Sequence, residues 1–191
     1  MEFQIQDQGQ CPICGSKIPL RWYFDKIPYF DEILCISSNC KCGFRYADTL
    51  ILSQKEPVEY EFFVSSSDDL NTRVVRSNSG SIYIPELGVE VEPGAVAEAF
   101  ISNVEGVLNR VEAVVETAKS WAETEEQKRK AEEILNKIAA IKRGEQTMTL
   151  IIKDPLGNSA IISDKARKRG LSKEEIDQLK IGITILDLQP K

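Results

Sequence analysis

The sequence contains no histidine among its 191 residues, although it carries 30 acidic and 24 basic side chains. Histidine is the commonest general base in enzymes and a member of most activated serine and cysteine sites. Its absence excludes a Ser-His-Asp triad and a Cys-His pair, and it removes the usual histidine and carboxylate metal set of an enzyme. We therefore expect that the chain is not an enzyme, and that any tetrahedral zinc site consists of cysteines.

Long apolar runs are also absent. No segment approaches the roughly 18–20 apolar residues that span a bilayer, and residues 1–7 lack the basic start and apolar stretch of a signal peptide. We expect a cytoplasmic protein. In the reducing cytosol, closely spaced cysteines bind metal more often than they form structural disulfides.

The balance of charge opposes nucleic-acid binding without excluding it. The formal net charge is -6, whereas affinity for nucleic acid rests on neutralised phosphates. The exception is the tract at residues 165–169, in which four of five side chains are basic. Such a short tract is more typical of a solvated tail than of an RNA site, so a protein partner is the better expectation.

All five cysteines lie between Cys11 and Cys42, in a segment rich in aromatic residues. Cys11 and Cys14 are separated by two residues and followed by glycine, a spacing that lets two sulfurs converge on one zinc ion. A second pair, Cys40 and Cys42, is also followed by glycine but encloses only one residue. The pattern predicts a structural zinc ion held by Cys11, Cys14, Cys40 and Cys42 on an antiparallel ribbon with strands at residues 17–24 and 32–37. Cys35 is the alternative to Cys40, but its apolar neighbours favour a place in the core.

After the cysteines the sequence changes to short strand patterns separated by turn residues, which favours an all-β barrel or sandwich. Between Pro93 and Gly144 the apolar period becomes helical, and Thr124 with Gln127 forms a capping-box pattern at the start of a second helix. The first apolar stripe comprises Val96, Phe100, Val104, Val107, Leu108, Val111, Val114, Val115 and Ala118. We interpret the two stripes as a helical hairpin inserted into the β region. Ser172 with Glu175 predicts the capped start of a further short helix, and residues 181–188 form a possible final strand.

Several motifs in this order resemble the ZPR-type zinc-finger family, and specifically its single-module archaeal form. The resemblance runs from Cys11 to about Ser163 and is carried by Cys11-Pro12-Ile13-Cys14, Ile27-Pro28-Tyr29-Phe30-Asp31-Glu32-Ile33, Cys40-Lys41-Cys42-Gly43-Phe44-Arg45, Asp69-Leu70-Asn71-Thr72-Arg73-Val74-Val75, Ile84-Pro85-Glu86-Leu87, Val104-Glu105-Gly106 and Asp154-Pro155-Leu156-Gly157-Asn158-Ser159. The family has two residues inside the second knuckle, whereas this chain has only Lys41. The resemblance implies a double-stranded β-helix after the finger, and a partner of the translation elongation factor 1A type that the protein helps to fold.

These observations together predict the domain organisation. We expect a zinc ribbon at residues 1–56, a double-stranded β-helix-like domain at 57–163 with its helical hairpin at about 94–143, and a basic tract, short helix and tail at 164–191. The fold class is mostly β, or α+β.

The function that we predict is a zinc-dependent adaptor or folding chaperone for an elongation-factor GTPase. Expected partner contacts are Tyr29, Phe30, Arg45, Asp69, Asn71, Arg73, Pro85 and Glu86, although for the polar and proline residues of the β domain turn stabilisation is the favoured role. The alternative is a nucleic-acid-binding ribbon in translation or transcription, since aromatic residues such as Trp22 and Phe24 can stack on bases.

Overall fold

The computed structural model describes residues 4–94 and 97–179, so the predicted final strand at residues 181–188 and Val96 lie outside the described part. The chain divides into two compact units, Met1–Gln54 and Lys55–Lys191. The fold is mostly β with three helices, which confirms the predicted fold class.

The first unit is a four-stranded antiparallel sheet whose strands follow chain order. Each neighbouring pair is joined by a short turn, as expected where strand patterns alternate with proline, glycine and polar residues. Only the two central strands were predicted; the outer two are polar and lack a clear apolar alternation. The strands are β1 (Gln4–Gln10), β2 (Lys17–Ile27), β3 (Asp31–Asn39) and β4 (Arg45–Ile51).

The second unit contains two antiparallel sheets and the helices. One sheet has the order β12-β5-β10-β7-β8 and the other β11-β6-β9. Their strands are β5 (Val58–Val64), β6 (Arg73–Arg76), β7 (Ser81–Ile84), β8 (Val89–Val91), β9 (Phe100–Asn103), β10 (Met148–Asp154), β11 (Ala160–Ile162) and β12 (Arg167–Gly170), and single turns of 3-10 helix cover Ser67–Asn71 and Pro85–Leu87.

The core of this unit follows from the alternation of its strands. In β10 the side chains of Met148, Leu150 and Ile152 are fully buried, while the residues between them are partly exposed. Strands β5 and β7 pair with β10 on either side and add Phe62 and Ile82 to the same core.

The predicted helical hairpin is present as α1 (Val104–Ser120) and α2 (Glu125–Lys142), inserted between β9 and β10. Thr124 caps α2 in the predicted capping box with Gln127, and Gly144 follows its end with a positive φ of 74°. The expected start near residue 94 was wrong, because Phe100–Asn103 is a strand paired with β6. Val114, which we expected in the buried stripe, is 68% exposed.

The motif Asp154-Pro155-Leu156-Gly157-Asn158-Ser159 is more than a turn. Asp154 is fully buried and accepts hydrogen bonds from the hydroxyls of Ser77, Ser79 and Ser159, each at 2.7 Å. The amides of Leu156 and Asn158 also donate to it. Five donors on one buried carboxylate join two separate segments, residues 77–79 and 154–159, which explains why these residue types occur together.

The basic tract at residues 165–169 is not the solvated tail that we expected. Residues 167–170 form β12, which pairs with β5 at the edge of the five-stranded sheet. The pairing places Arg169 beside Glu59 and Arg167 beside Glu61, so opposite charges across the ladder stabilise an otherwise polar strand. The short helix predicted after Ser172 is present as α3 (Lys173–Gln178), with the expected capping box to Glu175.

Candidate functional site: a four-cysteine cluster

Two turns at the same end of the first sheet carry four of the cysteines. The first turn joins β1 to β2, and in it the amide of Gly15 donates to the carbonyl of Cys11 at 2.9 Å. The second joins β3 to β4, and there Gly43 donates to Cys40 at 3.1 Å. Because the second turn closes one residue earlier, it accommodates the shortened spacing. Both glycines have positive φ, 70° and 97°, a conformation that side chains disfavour.

The two turns bring the sulfurs of Cys11, Cys14, Cys40 and Cys42 within 4.8 Å of one another. Cys11 Sγ lies 3.6 Å from Cys42 Sγ, and Cys14 Sγ lies 3.5 Å from Cys40 Sγ. Four sulfurs about 2.3 Å from a tetrahedral zinc ion would be about 3.8 Å apart, so the spacing fits that metal. The cluster can therefore hold a single zinc ion, as the sequence predicts.

The four thiols affect one another's ionisation because their sulfurs are so close. Hydrogen bonds from the Ser16 hydroxyl and the Ser16 backbone lower the pKa of Cys14 to about 6. At Cys42 the backbone amide of Phe44 favours the thiolate, but the neighbouring thiol of Cys40 and burial oppose it, and the pKa is raised to about 12. Thiolates this close repel one another, and a bound cation removes that penalty.

Cys35 lies apart from the cluster. It is on β3, half-buried rather than in the core as we expected, and its sulfur faces the hydroxyl of Thr49 at 3.9 Å. The geometry therefore brings Cys40, and not Cys35, to the other three sulfurs.

The expected aromatic contacts lie in the turn between β2 and β3, at the end of the sheet opposite the cysteines. Tyr29 is half-buried and adopts a positive φ of 75°. Phe30 is only 4% exposed, so its ring packs inside the small unit and is withdrawn from partner contact in this structure. Arg45 is exposed at the start of β4, beside the cysteine turns.

The expected contacts in the second unit divide into exposed and buried side chains. Asp69 is buried and accepts hydrogen bonds from Ser65, Ser66 and Lys165, so it stabilises a turn rather than facing a partner. Asn71, Arg73 and Pro85 are exposed. Glu86 is also exposed, but its carboxylate accepts hydrogen bonds from the amide and hydroxyl of Thr149 at 2.9 and 2.8 Å.

The sequence analysis did not predict that several apolar side chains form one continuous surface on the first sheet. Residues two apart on a strand share a face, so Trp22 and Phe24 of β2 lie on the same side as their partners across the sheet. Phe24 is 41% exposed and Leu50 37% exposed, with Leu34 paired between them. The alternation of large apolar residues along β2 was the available signal. We call this surface the ribbon face; it comprises Trp22, Phe24, Leu34, Ile36, Tyr46 and Leu50.

The basic tract is neutralised within the second unit. Lys165 is paired with Asp69 at 2.8 Å, and Arg169 with both Glu59 and Glu175 at 2.6 and 2.7 Å. Lys168 lies over the ring of Tyr60. These contacts leave little unpaired positive charge for phosphates. Among the described residues, no helix is long and apolar enough to cross a membrane.

Comparison with known proteins gives the family. Residues 4–49 match the ZPR1 zinc-finger domain and residues 68–180 the ZPR1 jelly-roll domain. A ZPR1-like protein of Methanocaldococcus jannaschii is 50% identical over 93% of this chain and 91% of its own length, and one of Pyrococcus horikoshii is 44% identical over 91% and 81%.

Eukaryotic relatives are longer. The mouse zinc finger protein ZPR1 is 30% identical over 85% of this chain but only 36% of its own length. The zinc finger chaperone zpr1 of Schizosaccharomyces pombe is 28% identical over 78% of this chain and 34% of its own. A jelly roll and a double-stranded β-helix are the same architecture, so the predicted resemblance is confirmed. With one match to each of the two ZPR1 domains, the chain is a member of the ZPR1 zinc-finger family in a single-module form.

Proposed function

We propose that the chain is an adaptor or folding chaperone for a translation elongation factor 1A-type GTPase in the cytoplasm, and that Cys11, Cys14, Cys40 and Cys42 hold one structural zinc ion. The observation that carries this proposal is the combination, in one small unit, of a zinc-binding cysteine cluster and an exposed apolar face. A relative named a chaperone supports the class of function. The particular GTPase comes from the family resemblance.

The zinc ion has a structural role in this proposal. Four sulfur ligands fill a tetrahedral site and leave no open position for a reacting water. The metal would fix the two cysteine turns, and through them the pairing of the four strands, three of which carry the ribbon face.

The ribbon face is the proposed anchor. Large exposed aromatic and aliphatic side chains supply most of the binding energy at protein interfaces, and polar residues around them exclude water. Tyr29 and Arg45 remain proposed contacts in the same unit as this anchor. Asn71, Arg73, Pro85 and Glu86 remain separate proposed contacts on the second unit, where all four side chains are exposed.

Calorimetry of the zinc-loaded chain with a purified elongation factor 1A-type GTPase, in each nucleotide state, tests the proposal. We expect a saturable complex. The double variant Phe24→Ala with Leu50→Ala should weaken it by about 2 kcal/mol or more, because two anchoring side chains are lost. Both side chains are exposed, so their removal should leave the fold intact. Phe63→Ala is the matched control, since Phe63 is an exposed ring on the second unit. The proposal fails if no GTPase complex forms, and it yields to the nucleic-acid alternative if tight RNA binding appears instead.

A further inference from the structure

A groove of about 590 Å³ lies between helix α1 and strand β8 of the second unit. Its walls are mostly apolar and branched, with Val89 and Val91 on the strand and Val107, Val111 and Val114 on the helix. Val91 and Val114 are 37% and 68% exposed. Exposed apolar residues gathered in a concave surface are characteristic of a binding site.

Strand β8 forms one rim of this groove and is the last strand of its sheet. It pairs with β7 through Ile82, Tyr83 and Ile84, and no other strand within the described residues pairs with its outer side. An unpaired edge offers a row of backbone donors and acceptors to an extended peptide. Addition of a strand beside side-chain pockets is a common mode of peptide recognition.

Two arginines lie at the Phe100 end of the groove. The guanidinium carbons of Arg110 and Arg76 are 4.4 and 5.8 Å from the centre of the Phe100 ring. Arg76 is buried and donates to the backbone carbonyls of Gly80 and Glu98. Within the described part of the chain, neither arginine forms an ion pair with a carboxylate. Burial and the charge of Arg110 lower the pKa of Arg76, and Asp154 opposes them, so this end of the groove favours an anion.

The acidic residues of the groove belong to a different part of it. Glu90 and Glu92 also line the rim, and Glu90 is paired with Tyr83 across the ladder. Burial raises the pKa of Tyr83, and the charges of the two glutamates raise it further, so both lie near that ring. Along β8, Glu90 points to the face opposite Val89 and Val91. The charges that shift the pKa of Arg76 are those of Arg110 and Asp154, and neither glutamate is among them.

We propose that this groove binds an extended peptide segment of a partner protein, with apolar side chains at alternate positions and a carboxylate that Arg76 and Arg110 receive. The segment adds to the free edge of β8, and its apolar side chains enter the groove between the valines. A carboxylate on a peptide fits better than a free phosphate, because apolar walls continue from the arginines and give a small anion nothing further to contact. The proposal does not depend on zinc or on the ribbon face.

Nuclear magnetic resonance titration of the full, isotopically labelled chain tests the site and detects weak binding. The probe is a synthetic hexapeptide, acetyl-Thr-Val-Thr-Val-Thr-Val, prepared once with a free carboxyl end and once with an amide end. We expect amide shifts concentrated at Val89, Val91 and residues 107–115, and about tenfold tighter binding of the free acid, equivalent to about 1.4 kcal/mol. Arg110→Gln should reduce the ratio between the two peptides to below about threefold.

Substitutions of exposed residues on α1 supply the matched control. Val114→Glu places a charge in the groove and should weaken both peptides by about tenfold or more, whereas Ala113→Glu, one residue away and outside the lining, should change either by less than about twofold. Shifts that are scattered, or centred on the ribbon face, would overturn the proposal. Equal affinity for the free-acid and the amide peptide would overturn the role of the arginines. If the chain bound the peptide as expected but formed no complex with the GTPase, only the proposed function would be contradicted.

Discussion

The two units of the chain differ in what holds them together. Among residues 7–54, for which side-chain burial is described, the first unit buries only four apolar side chains, Cys11, Ile18, Phe30 and Ile33. The second unit has one cluster of 19 buried apolar side chains. A unit of about 50 residues with so small a core normally requires a metal or disulfides. The comparison indicates that the ribbon depends on its cysteine cluster, whereas the jelly roll depends on packing and on a buried polar hub.

The largest effect should come from the cluster itself. We expect Cys40→Ala to abolish stoichiometric zinc binding and order in the first unit, because structural zinc contributes an apparent folding free energy of about 10–16 kcal/mol in zinc-finger peptides. Elemental analysis of the purified variant measures the metal. Cys35→Ala is the matched control and should retain zinc, since its sulfur is outside the cluster. Zinc loss in the second variant alone would transfer the ligand role to Cys35.

In the second unit, stability should depend most strongly on the buried carboxylate of Asp154. Asp154→Ala leaves three buried hydroxyls and two amides without their acceptor, so we expect a loss of about 3–5 kcal/mol in the free energy of unfolding. Urea unfolding followed by circular dichroism at 222 nm reports on this unit, which holds all the described helices. Asp164→Ala removes the same charge from an exposed loop and should cost less than about 0.5 kcal/mol. Zinc content should not change in either variant.

Much of this organisation could be predicted from the sequence. The cysteine spacing predicted the metal cluster, and the capping-box patterns predicted the starts of two helices. Short runs of strand-forming residues between turn residues predicted most strands of the second unit. Three features could not be read in this way. The strand at Arg167–Gly170 is polar, and the acidic residues that stabilise it are distant in sequence. The burial of Phe30 depends on how the turn between β2 and β3 folds back onto the sheet. The ribbon face forms only when β2, β3 and β4 pair in the observed register. Each depends on tertiary pairing, which local patterns do not record.

Two glycines of the second unit differ in why they cannot be replaced: at one only the backbone conformation opposes a side chain, and at the other a neighbouring segment does as well. Gly88 and Gly157 both have positive φ, 62° and 69°, but a Cβ at Gly88 would have open space, whereas one at Gly157 would lie 2.2 Å from the carbonyl oxygen of Glu56. We expect Gly88→Ala to cost about 1 kcal/mol and Gly157→Ala about 3 kcal/mol or more. Urea unfolding of the two variants measures the difference. Equal costs would mean that the turn at Gly157 relaxes.

The smallest effect concerns pH. The Lys165 ammonium, 2.8 Å from Asp69, together with the Ser65 amide, holds the pKa of Asp69 well below its usual range. A carboxyl with a depressed folded pKa contributes stability that is present above its unfolded pKa, about 4, and is lost as the pH falls below that value. Lys165→Met should therefore cost up to about 1 kcal/mol at pH 7, since Lys165 is mostly exposed, and progressively less towards pH 3. A cost that is constant with pH would exclude the ion pair as its source.

The contrast between the units is tested most directly by removing zinc from the intact protein. The isotopically labelled chain, purified without chelators, should contain one zinc ion, and its amide spectrum should be recorded before and after a strong chelator is added. We predict that resonances of residues up to about Gln54 collapse towards unfolded positions, while those of β5 to β11 and of both long helices stay in place, and that added zinc restores the spectrum. An unchanged spectrum of the first unit after complete zinc removal, or collapse of the whole spectrum, would contradict the account.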